Sequence, residues 1–351
     1  IMLLQIIKAI RPANLLVITL TFYVLHTLCI NSQEFTLESL QISSISLKFL
    51  TISTLLVAAA GYLINDYYDK EIDFINKGQE QNLLRKQVLL SGYSILNIAA
   101  LVLSYTFALS NYIFLIFPSS IFLLWLYSFK LKGLPLIGNF IVATLSAAVP
   151  VIYLSIQDFS LDRFSHTPSL DLIISFSFLA LFSTFARELV KDIEDIQGDK
   201  AQGLITAPIL WGIKTAKIWA LFFLLCTLFI LGLLIAGVAY FDFNIIPLVI
   251  LTIFGIIPLL LCVAKLYQGA EKKHYRQAGN LIKFSMFGFL LFIYILGSAL
   301  SDSTYFKTKF FITVIFSSIS ILWWYDIGVY TNILIAISII CLLLHREIKK
   351  L

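Results

Sequence analysis

Residues 47–73 read LKFLTISTLLVAAAGYLINDYYDKEID, an apolar run that passes without a proline into a string of acidic side chains. A helix that crosses a bilayer needs about 20 predominantly apolar residues, because each residue adds only about 1.5 Å of rise. Leu47 to Ile64 therefore reads as a membrane span, and Asn65-Asp66-Tyr67-Tyr68-Asp69-Lys70-Glu71-Ile72-Asp73 as the loop that follows it. Asn65, Asp69 and Asp73 are spaced four residues apart. On a helix extending from the span they would share one face and converge on one ligand.

The same apolar signature recurs on both sides of this stretch. Spans are expected near Leu15 to Ile30, Leu47 to Ile64, Val88 to Leu109, Tyr112 to Ser128, Leu134 to Leu154, Leu172 to Ala186, Ala216 to Tyr240, Ile245 to Leu266 and Leu281 to Leu300. The whole chain agrees: 60% of its residues are hydrophobic, 13% are charged and its mean hydropathy is +0.93, whereas a soluble domain carries about 25% charged residues. The fold class is thus all-α, a polytopic transmembrane bundle of about nine helices. Residues 1–300 form this transmembrane domain, and residues 301–351 a further apolar helical extension.

Ile1 to Pro12 contains Lys8 and Arg11 and leads into an apolar run expected to be a span and not a cleaved leader. Placing the N-terminus in the cytoplasm puts Lys70, Lys77, Arg85, Lys86, Lys130, Lys132, Arg187 and Lys191 on the cytoplasmic side, with Lys48 and Arg163 opposite. That asymmetry is the positive-inside pattern. The net charge of +5 is scattered between spans, which suits topology and argues against nucleic acid as a partner. Cys29, Cys226, Cys262 and Cys341 lie inside apolar runs with no metal-ligand spacing, so buried, inert thiols are expected. Trp323, Trp324 and Tyr325 read as an interfacial aromatic belt. No acid, metal or nucleophile arrangement surrounds His26, His166, His274 or His345.

A second acidic string, Lys191-Asp192-Ile193-Glu194-Asp195-Ile196-Gln197-Gly198-Asp199, follows the sixth span. One constant offset lays Asp66 on Asp192, Asp69 on Asp195 and Asp73 on Asp199, as an internal repeat would. Four spans separate the two strings, so both must emerge at the same membrane face, whichever face that is. A single acidic segment also suits a plain solvated loop; two matched segments at one face point to a shared site. Facing carboxylates at the edge of an apolar bundle are unfavourable unless cations neutralise them. Oxygen-rich sites suit Mg²⁺, which bridges a few carboxylates to substrate phosphates. A diphosphate between the strings would complete the arrangement, with Lys130, Lys132, Arg187 and Lys191 as added cationic contacts. The apolar bundle would then hold an isoprenoid tail, with aromatic side chains facing an allylic cation.

At these residues the chain resembles the UbiA superfamily of intramembrane prenyltransferases, over approximately Ile7 to Leu300. The resemblance rests on Arg11-Pro12-x-Asn14, Gly61-x-x-x-Asn65-Asp66-x-x-Asp69-x-x-x-Asp73, Tyr127-Ser128-x-Lys130, Gly138-Asn139 and Lys191-Asp192-x-x-Asp195-x-x-Gly198-Asp199. It implies a nine-helix bundle whose cavity is covered by cytoplasmic loops. It also implies that Asn65, Asp69, Asp73, Asp195 and Asp199 bind Mg²⁺ and diphosphate, with Asp66 and Asp192 sharing that task. Asp69, Asp73, Asp195 and Asp199 are the expected catalytic residues, and Arg11, Arg85, Lys130, Arg187 and Lys191 the expected diphosphate contacts. Arg187-Glu188-Leu189-Val190-Lys191-Asp192-Ile193-Glu194-Asp195 looks most like digeranylgeranylglyceryl phosphate synthases, which move a geranylgeranyl group onto a prenylated glycerol phosphate. Relatives acting on aromatic acceptors such as 4-hydroxybenzoate, dihydroxynaphthoate or homogentisate share the aspartate core. The chain departs from many relatives at Asn76 to Asn82, where a proline-rich loop is replaced by a flexible one containing Gly78.

The resulting expectation is a Mg²⁺-dependent prenyltransferase of a bacterial or archaeal cell membrane. Its partners would be an isoprenyl diphosphate donor, a lipophilic acceptor and the bilayer, and its site would face the cytoplasm. The rival from another class is an ion-coupled transporter. Transporters place such carboxylates near the bilayer midplane on interrupted helices, whereas these lie at span ends beside lysine and arginine.

Overall fold

A computed structural model describes residues 2–31, 37–77, 84–107, 111–156, 168–240, 245–269 and 271–299, and among these every regular element is helical. The helices are α1 (Met2–Ala9), α2 (Pro12–Asn31), α3 (Leu37–Lys77), α4 (Lys86–Phe107), α5 (Asn111–Phe129), α6 (Ile137–Ile156), α7 (Pro168–Ala201), α8 (Ala207–Leu210), α9 (Gly212–Tyr240), α10 (Ile245–Ile250), α11 (Ile257–Gln268) and α12 (Lys272–Ala299). A 3₁₀ turn, Leu131–Gly133, precedes α6, and a π-helical segment, Leu251–Ile256, joins α10 to α11. Eight stretches among the described residues are long and apolar enough to cross a bilayer, and a shorter apolar helix, Phe114–Phe129, lies between the third and fourth of them. The expected all-helical membrane bundle is therefore what the chain forms. The C-terminal extension, with Trp323, Trp324, Tyr325 and Cys341, lies outside the described residues.

Large apolar side chains point outward where lipid is expected. Ile95, Ile98 and Val102 on α4 and Phe222, Leu225 and Phe229 on α9 are all exposed, a distribution that water would not tolerate over so large a surface. Inside, α7 packs on α6, α9 and α12 and reaches α2 and α3, while α12 also packs on α2 and α11. Ala186, Ala216 and Ala220 are fully buried, small residues of the kind that let membrane helices approach closely. Cys29 and Cys262 are buried and Cys226 is half-buried.

Two spans run further than their apolar stretches predict. The acidic strings are not loops: Asn65 to Lys77 continues α3, and Lys191 to Ala201 continues α7. Neither segment contains proline, and the Asn65 amide donates to Asp69 Oδ2 one turn on at 2.7 Å, so nothing in the chain stops the helix at the membrane edge. The α12 helix likewise begins at Lys272, well before its apolar part.

The end of α7 is fixed by Gly203, at φ +70°. The Leu204 N–H donates to the Asp199 carbonyl at 3.0 Å and the Gly203 N–H to that of Lys200 at 3.1 Å, the double bond of a Schellman cap. The chain then donates from the Ile205 N–H to the Gly133 carbonyl at 3.0 Å. This ties the loop after α7 to the turn between α5 and α6.

At the π-helical segment the regular carbonyl ladder is interrupted, and Ser285 of α12 donates its hydroxyl to the Gly255 carbonyl at 2.7 Å. Gly288 makes the approach possible: a Cβ there would lie 2.3 Å from the Phe254 carbonyl oxygen, whereas one on Gly279 meets nothing within 4 Å. Gly288→Ala is expected to destabilise the bundle by about 1–3 kcal/mol, the usual cost of overpacking. Gly279→Ala should leave stability unchanged or slightly raised. Thermal unfolding of the two variants in one detergent checks the contrast.

Candidate active site

The first acidic string occupies the last turns of α3, and each of its buried carboxylates meets a cation from elsewhere in the chain. Asp66 is 6% exposed and accepts a charge-assisted bond from Arg11 Nη2 at 3.0 Å. Asp69 is 5% exposed and holds both the Asn65 amide and an ion pair with Lys132. Asp73 lies four residues further along α3, its side chain outside the described residues.

Arg11 is placed by the local backbone. It precedes Pro12, which disfavours ordinary helical geometry, and it takes φ +53°, so the chain turns sharply between α1 and α2. Its guanidinium lies 4.8 Å above the centre of the Tyr62 ring, and the Asn14 amide donates to the Tyr62 hydroxyl at 3.0 Å. Burial opposes the Arg11 charge, but Asp66, Tyr62 and Asp69 outweigh it and hold the group above its ordinary pKa.

Lys132 arrives from the 3₁₀ turn. That turn lies on the start of α6 so closely that a Cβ on Gly138 would meet the Leu131 carbonyl oxygen at 2.9 Å and the Lys132 Cα at 3.0 Å. The next residue, Asn139, donates its amide to Asp192 Oδ2 at 2.8 Å. The Gly138-Asn139 pair thus seats the lysine on one string and a hydrogen bond on the other.

The second string lies along α7. Asp199 is 4% exposed, while Asp192 and Asp195 are half-buried. Asp199 lies within electrostatic reach of Lys132, Asp195, Lys191 and Asp69, so the two strings meet at one end of the bundle, with Lys132 between them. Glu194, on another face of α7, pairs with Arg276 of α12 at 2.9 Å.

The other sequence-predicted cations divide by position. Lys191 stands among the aspartates, and Arg187 is ion-paired with Glu188. Lys130 and Arg85 are exposed, and Arg85 uses its carbonyl to start α4 by accepting from the Val88 N–H at 2.9 Å. Sequence reasoning gave no role to Glu188, Tyr62 or Lys283. Glu188 is 6% exposed and lies among Arg187, Lys191, Lys283 and Lys132. The one signal in the sequence is a lone lysine, Lys283, near the head of the ninth apolar run. Among the described residues no three His, Cys, Asp or Glu side chains are arranged to chelate a metal by themselves. The donors present are carboxylate and amide oxygens.

Residues 35–287 match the UbiA prenyltransferase family. The chain belongs to that family. A digeranylgeranylglyceryl phosphate synthase of Thermococcus sibiricus is 38% identical over 161 residues, 45% of this chain and 53% of the relative. The synthase of the same name from Methanobrevibacter smithii is 32% identical over 244 residues, 65% of this chain and 81% of the relative. The chain therefore spans about half the length of the first relative and most of the second. A solved structure described as a digeranylgeranylglyceryl phosphate synthase shares the fold, with a TM-score of 0.58 and 24% sequence identity over 84% of this chain and 98% of that one.

Removing Arg11 from this UbiA site takes a cation away from a buried carboxylate. Arg11→Ala should destabilise the protein by about 1–3 kcal/mol, and Asp66→Asn in the same chain should recover part of that loss. Melting midpoints of the single and double variants test the pairing.

Proposed function

We propose that the chain is a Mg²⁺-dependent prenyltransferase that moves a geranylgeranyl group from its diphosphate to the free hydroxyl of a prenylated glycerol phosphate. The observation that carries this reading is the meeting of the two aspartate strings at one end of an apolar bundle, with Lys132 between them. The names of its relatives support the choice of acceptor.

The donor set suits magnesium in kind. Mg²⁺ takes hard oxygen ligands, keeps several waters and needs only one or two carboxylates beside substrate phosphates, so a preformed triad is not required. Asn65, Asp69 and Asp73 on α3, with Asp195 and Asp199 on α7, would hold it, and Asp66 and Asp192 would support them through their bonds to Arg11 and Asn139. When bound, the ion supplies Lewis-acid neutralisation of charge on the diphosphate oxygens.

The chain's own groups do the rest. Lys132 and Lys191 add positive charge where the departing diphosphate gains negative charge, which is worth most in a site shielded from water. The allylic carbon–oxygen bond breaks, the acceptor hydroxyl oxygen forms the new ether bond, and the hydroxyl proton is released. The site would face the cytoplasm of a bacterial or archaeal cell, because the basic residues between spans cluster on that side.

The test is turnover by the purified full-length chain, with Mg²⁺, radiolabelled geranylgeranyl diphosphate and a panel of glycerol phosphate and aromatic acceptors, followed by the mass of the product. Asp69→Ala and Asp195→Ala should each lower the rate by about 100-fold or more while the protein remains folded in detergent. Wild-type rates in either variant, or ion flux in place of prenylated product, would refute the assignment. A second check is chelation of the metal, which should stop turnover and be reversed by added Mg²⁺.

A further inference from the structure

A second, smaller apolar cluster lies apart from the main core, where α1 leans on α3 and the start of α4. Ala9, Leu63, Leu84 and Leu89 are buried in it, and Tyr67 packs on it. Beside this cluster runs a groove of about 360 Å³, walled by Ile6 of α1, Leu63 of α3 and Leu84, Val88 and Ile95 at the head of α4. Gly92 brings its floor in, since a Cβ there would lie 2.8 Å from Leu63 Cδ1. Ile95 is 66% exposed on the lipid-facing side of α4, so the groove borders the bilayer.

The lining changes with depth. Gln87 and Ser91 supply its polar side chains; four residues apart on α4, they share one face. Gln87 to Ile95 spans about 12 Å at about 1.5 Å per residue, less than half the hydrocarbon thickness of about 30 Å, so the groove belongs to one leaflet. Two lysines stand at its outer end. Lys70 Nζ donates to the Leu84 carbonyl at 3.0 Å, and Lys86 Nζ lies 5.5 Å from the centre of the Tyr67 ring. Among the described residues the ion pairs engage Arg11, Lys132, Arg187 and Arg276, and neither Lys70 nor Lys86 has a carboxylate partner. Cations at the surface, an amide and a hydroxyl below them and hydrocarbon deeper follow the order of a membrane lipid, from phosphate through glycerol linkage to chain.

We propose that the groove binds an anionic lipid of the surrounding bilayer. One hydrocarbon chain lies between Ile6, Val88 and Ile95, the glycerol linkage lies at Ser91 and Gln87, and the phosphate lies at Lys70 and Lys86. A polar solute meets apolar walls here, and a lipid without net charge offers the two lysines less; an anionic headgroup carrying a chain suits both ends. An ammonium is a compact point charge that holds a phosphate without demanding one fixed geometry. Because α1 ends two residues before Arg11, a chain held against Ile6 also braces the segment whose guanidinium pairs with Asp66.

The experiment strips the purified full-length chain of lipid in detergent and titrates it with phosphatidylglycerol or with phosphatidylcholine of the same acyl chains. Native mass spectrometry reads the tightest-held lipid, and the melting midpoint is followed beside it. Phosphatidylglycerol should be held about 25-fold more tightly, about fivefold for each lysine, and should raise the midpoint further. Lys86→Gln should weaken its retention about fivefold, and Ser91→Trp, which fills the groove, should abolish it. Equal retention of the two lipids, or retention of phosphatidylglycerol undiminished in Ser91→Trp, overturns the inference. Displacement of the lipid by inorganic phosphate overturns it as well, and so does a dimer of the stripped chain that Ser91→Trp abolishes, which would give the groove to a second copy. Should Ser91→Trp fail to fold, phosphatidylglycerol with a photoreactive group in its chain is bound to the wild type. Crosslinks to Ile6 or to residues 84–95 support the site, and crosslinks confined elsewhere overturn it.

Discussion

Asp66, Asp69 and Asp199 are all more than nine-tenths buried, and a carboxylate withdrawn from water stays ionised only beside a cation or strong donors. For the α3 carboxylates and for Asp192 the partners come from other segments. Arg11 comes from the junction before α2, Lys132 from the turn before α6, and Asn139 from α6 itself. Each contact is also a positional restraint on a helix end. Charge neutralisation thus gathers α2, α3, α6 and α7 at one face of the bundle, where packing between apolar helices has little orienting power because lipid tails are as apolar as leucine.

Backbone geometry serves the same end. The left-handed Arg11 aims a guanidinium sideways off a helix junction, and the missing side chain at Gly138 lets the lysine-bearing turn sit on α6. Neither device contributes much burial. Their value lies in holding two positive groups at the places where the α3 carboxylates emerge from the apolar layer. Lower in the bundle, the contact of Gly288 with the Phe254 backbone fixes how α12 crosses its neighbour, and with it the depth at which Lys283 stands.

Much of this was legible in the sequence. Apolar run length disclosed the spans, and the number of spans between the two acidic strings required them to share a face, an inference that no boundary error disturbs. The continuation of α3 through Asp66 and Asp69 was less visible, because hydropathy marks where lipid ends and says nothing of where hydrogen bonding along a helix ends. Lys132 and Lys130 are nearly equivalent as letters in a string; only the 3₁₀ turn turns one toward Asp69 and leaves the other exposed. Glu188 and Lys283 were opaque for a different reason. They lie on helices far apart in sequence, and their meeting depends on how α7 and α12 pack.

The hydrogen bond from Ile205 to Gly133 joins two stretches that each end in a functional side chain's support: the cap on the Asp199 carbonyl on one side, the seat of Lys132 on the other. The two stretches are therefore coupled through a single backbone bond. A residue inserted in either stretch would be felt at Lys132 and at Asp199 alike, so lysine and aspartate would loosen together.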